Sequence, residues 1–294
     1  MKAIFRCNAV LISVVFASTL APTQGRAGLI VASDGSGAPG PGSPGTMYSV
    51  DPGTGDVTLL GLMNLNGYFP TSSSPAPYSY FLRGVNLYGV DFSTNTSVEY
   101  GCFDNPTCYE PGGDAAYDSI GGGFYRIGNE RTTQAAGLYS MHDTGTMAFE
   151  RYELVTYQWI GAFDGPPIQV MEYIPGLGLY GIGDGGIGFL IDEATAHLTP
   201  LAPLSEPVPI TGLAFDPDSG RLLATTGSYF NPVPTSQIYL LDPITGVETL
   251  LNGNAPNLTG IADVEIPESG TTWMMVLGLA LCSVASLPRT RRNV

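Results

Sequence analysis

The chain writes one phrase twice. "IYLLDPITGVETLL", residues 238–251, and "MYSVDPGTGDVTLL", residues 47–60, share eight of fourteen positions without a gap. Two copies of one phrase must make the same local structure, so a repeat constrains the fold before anything else does. Weaker copies start at Leu87 ("LYGVDFSTNTSVEY"), Leu138 ("LYSMHDTGTMAFER") and Gly188 ("GFLIDEATAHLTPL"). The aromatic residue of each copy falls at Tyr48, Tyr88, Tyr139, Phe189 and Tyr239, at spacings of 40, 51, 50 and 50 residues.

Each copy reads as a hairpin. "IYLLD" alternates as a strand, and "VETLL" alternates as the next. Between them lies Asp-Pro-x-Thr-Gly. Asp accepts backbone hydrogen bonds, Pro sets φ, and Gly supplies the positive φ that starts the return. Asp51 and Asp242 are therefore read as turn residues, and His142, in the same slot of its copy, as another. A second hairpin precedes the phrase: "ITGLAFDPDSGRLLATTG" from Ile210, "IQVMEYIPGLGLYGIG" from Ile168 and "AAYDSIGGGFYRIG" from Ala115. One unit is thus four antiparallel strands with a Gly-rich inner pair. Units of this size repeated every 40–50 residues make an all-β fold, a β-propeller with little bulk near its axis. The expectation is five four-stranded blades, the second of them irregular. "LTGIADVEI", from Leu258, reads as a first strand with nothing after it. "GLIVAS", from Gly28, reads as a second strand with nothing before it. The C-terminal strand should complete the N-terminal blade, and the propeller should span residues 28–266.

Composition agrees with many short strands. The 294 residues include 39 glycines and 24 prolines, a mixture poor for helices. Charge is uneven. Residues 28–288 hold 5 arginines against 26 carboxylates, a formal charge of −21. Such a surface repels phosphate backbones and anionic membranes, which argues against a nucleic-acid partner.

The ends read as addresses. Residues 1–27 combine Lys2 and Arg6 with an apolar run over residues 9–20 and small residues before Gly28. That is a secretory signal peptide, cleaved between Ala27 and Gly28. The end, "IPESGTTWMMVLGLALCSVASLPRTRRNV", places Pro267 and Glu268 before an apolar stretch, residues 273–287, and then Arg289, Arg291 and Arg292. The stretch is short for a permanent span, and the arginines would hold its end on the cytoplasmic side. Residues 267–294 resemble the PEP-CTERM sorting signal of Gram-negative-type bacteria, with Ser269 where that family usually has a second Pro. The resemblance implies an exosortase-type processing enzyme acting at Pro267-Glu268. It also implies transient inner-membrane contact, then release to the cell surface or an extracellular polysaccharide matrix. A plain C-terminal anchor is the other reading. In an oxidising compartment, Cys102 and Cys108 of "CFDNPTC" are most simply a disulfide.

Long loops gather on one face in this reading: those from Asp34, Phe230 and Asn129, the connection from Tyr68, and residues 102–113. That face is the first place to look for a ligand, a polysaccharide or a cell-surface protein. Motifs for catalysis are sparse. Gly181-Ile-Gly183-Asp-Gly185-Gly186 has no helix after it, so Asp184-Gly185 is better read as a hairpin turn than as a phosphate cradle. No cofactor is implied. Calcium is the metal such an acidic surface would suit, with Asp216-Pro-Asp218-Ser-Gly220 as the nearest approach to a site, short of ligands. Two function classes stay open. One is a binding or structural propeller without catalytic, cofactor or metal residues. The other is a propeller glycoside hydrolase or lyase whose acid and base would be carboxylates such as Asp118 and Glu172.

Overall fold

In a computed structural model, the described residues are 28–34, 46–62, 69–72, 79–83, 86–91, 96–101, 114–118, 120–121, 123–130, 132–143, 152–206, 208–227 and 235–265. Among the described residues, alternating apolar and polar residues between turn signals give twenty strands, and no helix occurs. They are β1 (Gly28–Asp34), β2 (Thr46–Val50), β3 (Val57–Leu62), β4 (Phe69–Ser72), β5 (Ser79–Arg83), β6 (Asn86–Asp91) and β7 (Thr96–Gly101). Then follow β8 (Ala115–Tyr117), β9 (Phe124–Asn129), β10 (Ala136–Asp143), β11 (Tyr152–Ala162), β12 (Ile168–Ile174), β13 (Gly178–Gly183) and β14 (Ile187–Ile191). The last are β15 (Leu198–Pro203), β16 (Gly212–Asp216), β17 (Arg221–Thr225), β18 (Ser236–Leu241), β19 (Glu248–Ala255) and β20 (Leu258–Glu265).

Among the described residues four sheets form, in a propeller-like arrangement. Three have four strands, ordered β20-β1-β2-β3, β12-β13-β14-β15 and β16-β17-β18-β19. The fourth has eight, ordered β4-β5-β6-β7-β11-β10-β9-β8. The expected five separate sheets are therefore four. Two antiparallel meanders, β4 to β7 and β8 to β11, share a sheet because their outer strands pair in parallel, Tyr152 with Glu99 through Leu154 with Gly101. The expected closure of the ends is present. β1 pairs antiparallel with β20, from Gly28 with Glu265 to Asp34 with Leu258.

Three sequence expectations differ locally. His142 lies within strand β10, opposite Thr156, because the hairpin of its copy extends past the turn slot of the phrase. Residues 69–72 are strand β4 rather than part of a long connection. The segment from Asn129 is a compact turn: Glu130 N–H donates to the Ala135 carbonyl and Gln134 N–H to the Glu130 carbonyl, each at 2.8 Å.

Neighbouring sheets pack face to face through apolar clusters. Ile127, Leu138, Met171, Leu179 and Phe189 fill the layer between β8–β11 and β12–β15. Tyr180, Ile182, Leu213, Leu222 and Leu241 fill the next layer, toward β16–β19. Ala214, Leu223, Ile238, Leu258 and Ile261 join that sheet to β20 and β1. Each fully buried Leu, Ile or Met of this kind stabilises by roughly 1.5–3 kcal/mol. The first strands converge: β20 abuts β16, β16 abuts β12, β12 abuts β8, β8 abuts β4, and β4 abuts β20. Small residues allow that approach. A Cβ on Gly212 would stand 3.2 Å from the Gly260 Cα and 3.1 Å from the Ile261 N.

Candidate functional site

A related turn geometry recurs at six strand ends among the described residues, those with Asp51, Asp118, Glu130, Asp192, Asp216 and Asp242. In residues 51–56 the Asp51 Oδ1 accepts the N–H groups of Gly53 at 2.7 Å and Thr54 at 3.0 Å. The Gly55 N–H closes on the Asp51 carbonyl at 2.8 Å. Asp242 makes the same bonds with Ile244 and Thr245, and Asp192 with Ala194 and Thr195. Asp118 accepts from Ile120 and Gly121, Glu130 from Thr132 and Thr133, and Asp216 from Asp218. At Asp51, Glu130, Asp192 and Asp242 these bonds favour the ionised form. The N–H groups of Gly53 and Thr54 hold the Asp51 carboxyl below its usual range, and the Thr245 hydroxyl and N–H do so for Asp242. Asp51 and Asp242 are turn residues, as the repeat implied. Asp184-Gly185 is likewise a turn, with Gly185 at φ 82° and Gly186 at φ 73°.

The same turns couple successive sheets. The Asn252 Nδ2 donates to the Gly55 carbonyl at 2.9 Å, and the Arg221 Nη1 donates to the Pro52 carbonyl at 3.0 Å. Turn 51–56 of the first sheet is thus tied to β17 and β19 of the last. Glu248 Oε2 accepts the Ser205 and Glu206 N–H groups, tying β19 to the end of β15. His197 Nδ1 meets Asp164 Oδ2, and Asp164 Oδ1 accepts the Leu198 N–H at 2.8 Å, tying turn 192–197 to the segment before β12.

The carboxylates named as candidate acid and base part company. Asp118 is buried at 7% exposure and committed to its own turn and to the Tyr173 hydroxyl. Burial, with that bond second, pushes the Tyr173 hydroxyl up to about 12. Glu172 lies on β12 with 0% exposure. Its Oε1 accepts the Tyr173 N–H at 2.9 Å, while its Oε2 has no hydrogen-bond partner. Burial drives its carboxyl well above the usual glutamate range. The Tyr173 and Phe215 N–H groups oppose that rise, and the negative charges of Asp114 and Asp263 add to it. Asp114 Oδ2 accepts the Met171 N–H at 2.9 Å, and Asp263 is 3% exposed on β20. The acidic centre is therefore Glu172 with Asp114 and Asp263. Sequence reading found the first and missed the other two. An Asp inside the apolar run "LTGIADVEI" was the available signal for Asp263; nothing local marks Asp114.

The only fully buried cation among the described residues is on β9, paired with Ala115 of β8, the residue after Asp114. Arg126, at 0% exposure, donates from Nη1 to the Tyr157 hydroxyl at 3.1 Å and lies 5.4 Å over that ring. Among the described residues, no three His, Cys, Asp or Glu side chains are placed to hold a metal. Asp216 and Asp218 belong to one turn, closed by Gly220 at φ 68°. Gly28 opens β1. Ala27, Cys102, Cys108, Pro267 and Glu268 lie outside the described residues, as do the loops of residues 35–45, 102–113 and 228–234.

No protein-family model matches the chain, and no curated protein matches it. Among solved structures, a candidate 6-phosphogluconolactonase from Bacteroides fragilis aligns over 83% of this chain and 99% of its own, at 12% identity and a TM-score of 0.43. The periplasmic gluconolactonase of Pseudomonas aeruginosa aligns over 82% and 99%, at 10% identity and a TM-score of 0.42. A protein from Lactobacillus plantarum aligns over 81% and 99%, at 11% identity and a TM-score of 0.43. At such identities and scores these likenesses bring no activity to this chain, and the propeller-like arrangement stands on its own strand pairing.

Proposed function

We propose that this chain is an exported five-bladed β-propeller that binds or organises extracellular polysaccharide without cleaving it. The observation carrying the last clause is the burial of Glu172 and Asp263 in its acidic centre, whose third carboxyl, Asp114, is half-buried and accepts the Met171 N–H. Glycosidic cleavage needs one carboxyl to reach the leaving oxygen and a second to act across the ring. Glu172 and Asp263, at 0% and 3% exposure, are withdrawn from any such contact, and Asp118 is occupied by its turn. A hydrolase or lyase built on these residues is therefore the less favoured reading.

Five blades follow if the two meanders of the eight-stranded sheet are counted separately. The circuit of five first strands, each against the next, supports that count. Export, processing at Pro267-Glu268, the Cys102–Cys108 disulfide and delivery to the surface or matrix belong to the same proposal, supported by the sequence of the two ends. Purified protein incubated with matrix polysaccharide from its host tests the function. Co-sedimentation without new reducing or unsaturated ends is expected. Release of such ends, or no co-sedimentation, defeats the proposal.

A further inference from the structure

Two carboxylates and two tyrosines exchange bonds across the seam between the meander β8–β11 and the sheet β12–β15. The Tyr125 hydroxyl, on β9, donates to Glu193 Oε2 of turn 192–197 at 2.7 Å. The Tyr173 hydroxyl, on β12, donates to Asp118 of the turn after β8. Both rings pack against the apolar cluster that fills this layer. Tyr125, Tyr173 and Glu193 are half-buried, and Asp118 is buried. Burial first, then the bond to Glu193 and the charges of Glu193 and Asp118, pushes the Tyr125 hydroxyl up. The Tyr173 hydroxyl feels the same two charges. The four groups therefore act on one another as a quartet.

Three of the four depart from the repeat. The innermost hairpins of three units align by their closing pairs, Tyr117 with Phe124, Ile174 with Gly178 and Asp216 with Arg221. Tyr125 then falls where the other two hairpins have Leu179 and Leu222, and Tyr173 where they have Ala116 and Phe215. Glu193 follows its turn aspartate where Pro52 and Pro243 follow theirs. Hairpins and turns of this kind form without the two hydroxyls and the added carboxylate, so the fold alone does not call for them at this seam.

Their hydrogen-bonding balance defines what can join them. Both hydroxyl protons are spent on the carboxylates. What is left accepts: a carboxylate has about four acceptor sites, and at Glu193 the Tyr125 bond takes one. Two negative charges drawn partly out of water beside two aromatic rings favour a cation. An ammonium group brings three donors and a positive charge, whereas a neutral hydroxyl brings a single donor. The body's formal charge of −21 draws such a group in. We propose that this seam binds the ammonium group of an amino sugar in a polysaccharide, held by Glu193, with Asp118 and the Tyr125 and Tyr173 oxygens supplying further charge and acceptors. The choice of a sugar as carrier rests on the polysaccharide-binding reading.

Calorimetry of the full chain with an oligosaccharide of glucosamine, its N-acetylated counterpart and tetralysine tests it. The glucosamine oligomer should bind. N-acetylation, which removes the charge and two donors, should weaken that binding about tenfold or more. Glu193→Gln keeps an acceptor for the Tyr125 hydroxyl, so its urea midpoint should match wild type while glucosamine binding falls about tenfold. Asp56→Asn takes one charge from an exposed turn of another sheet and should change binding less than about twofold. Absence of glucosamine binding, equal binding of the N-acetylated form, or equal losses in the two variants overturns the inference. Tetralysine bound as tightly as the sugar makes the carrier a peptide and overturns it as well. The comparison of amine with amide needs no variant, so it decides even if Glu193→Gln does not fold. Binding of the N-acetylated oligomer alone, unchanged by Glu193→Gln, sinks the seam site while leaving the polysaccharide reading in place.

Discussion

Asp242 stands exposed at the end of β18, where the N–H groups of Ile244 and Thr245 donate to it. Glu172 stands on β12 with none of its surface open to solvent. The two carboxyls are pushed in opposite directions, Asp242 held below its usual range and Glu172 driven well above it. The difference separates two ways a carboxyl serves a fold. In the turn, the ionised group organises the chain, because it satisfies N–H groups that a reversing backbone leaves without partners. On the inner strand, the assembled sheets act on the carboxyl, removing water and bringing Asp114 and Asp263 near.

The largest expected effect lies in turn 242–247. Gly246 has φ 68°, and a Cβ there would stand 2.1 Å from the Pro203 carbonyl oxygen, backbone that cannot swing aside. Gly220 has the same φ of 68° but nothing within 4 Å. Gly220→Ala therefore carries only left-handed strain, about 1 kcal/mol, while Gly246→Ala adds overpacking to reach about 3 kcal/mol. Urea denaturation of both variants reads the gap. Equal losses would mean that the turns act only within their own hairpins and do not couple sheets.

The next effect tests the carboxyls themselves. Glu172 has a folded pKa above its unfolded one. Its contribution is thus fully present below the usual glutamate range and is lost as pH rises toward the folded value. Asp242 is the reverse case: its contribution is present above the usual aspartate range and is lost as pH falls through the lowered value. Glu172→Gln keeps an acceptor for the Tyr173 N–H and removes the ionisation beside Asp114 and Asp263. It should be more stable than wild type at pH 8 by about 2 kcal/mol and nearly equal at pH 4. Comparing the two proteins cancels the general repulsion of an acidic chain. Parallel stability curves across pH 4–8 would show that Glu172 titrates as it does in the unfolded chain, and the contrast with Asp242 would collapse.

Legibility in the sequence follows the range of the interaction. The turn at Asp242 depends on residues two and three positions away, so a five-residue pattern announces it, and a second copy at Asp51 confirms the reading. Pairing of β1 with β20 was legible because each end lacked half a hairpin. The merging of two meanders through β7 and β11 was not, since a parallel contact over three residue pairs leaves no periodic trace. Nor was the company of Glu172, because Asp114 and Asp263 reach it only once separate units pack. His142 misled through alignment: matching a phrase assigns a slot, but the length of the flanking hairpin decides whether that slot turns.

The smallest effect asks how strictly the turn geometry needs its glycine. Turn 192–197 has Ala196 where turns 51–56 and 242–247 have Gly55 and Gly246, and Ala196 adopts φ 61° against their 74° and 68°. Its N–H still closes on the Asp192 carbonyl at 2.8 Å, so the hydrogen bonds hold this conformation against the clash of its Cβ. The methyl is not idle. Ala196 is fully buried and joins the cluster of Leu138, Met171 and Phe189. Ala196→Gly relieves left-handed strain of about 1 kcal/mol and gives up burial of one methyl, about 0.8 kcal/mol, along with some backbone entropy. The opposing effects leave the variant within about 0.5 kcal/mol of wild type by urea denaturation. A gain well above 1 kcal/mol would show strain outweighing packing in this turn, and the three turns would be equivalent. A loss above 1 kcal/mol would make the methyl a core contact first and a turn residue second, setting 192–197 apart from its two counterparts.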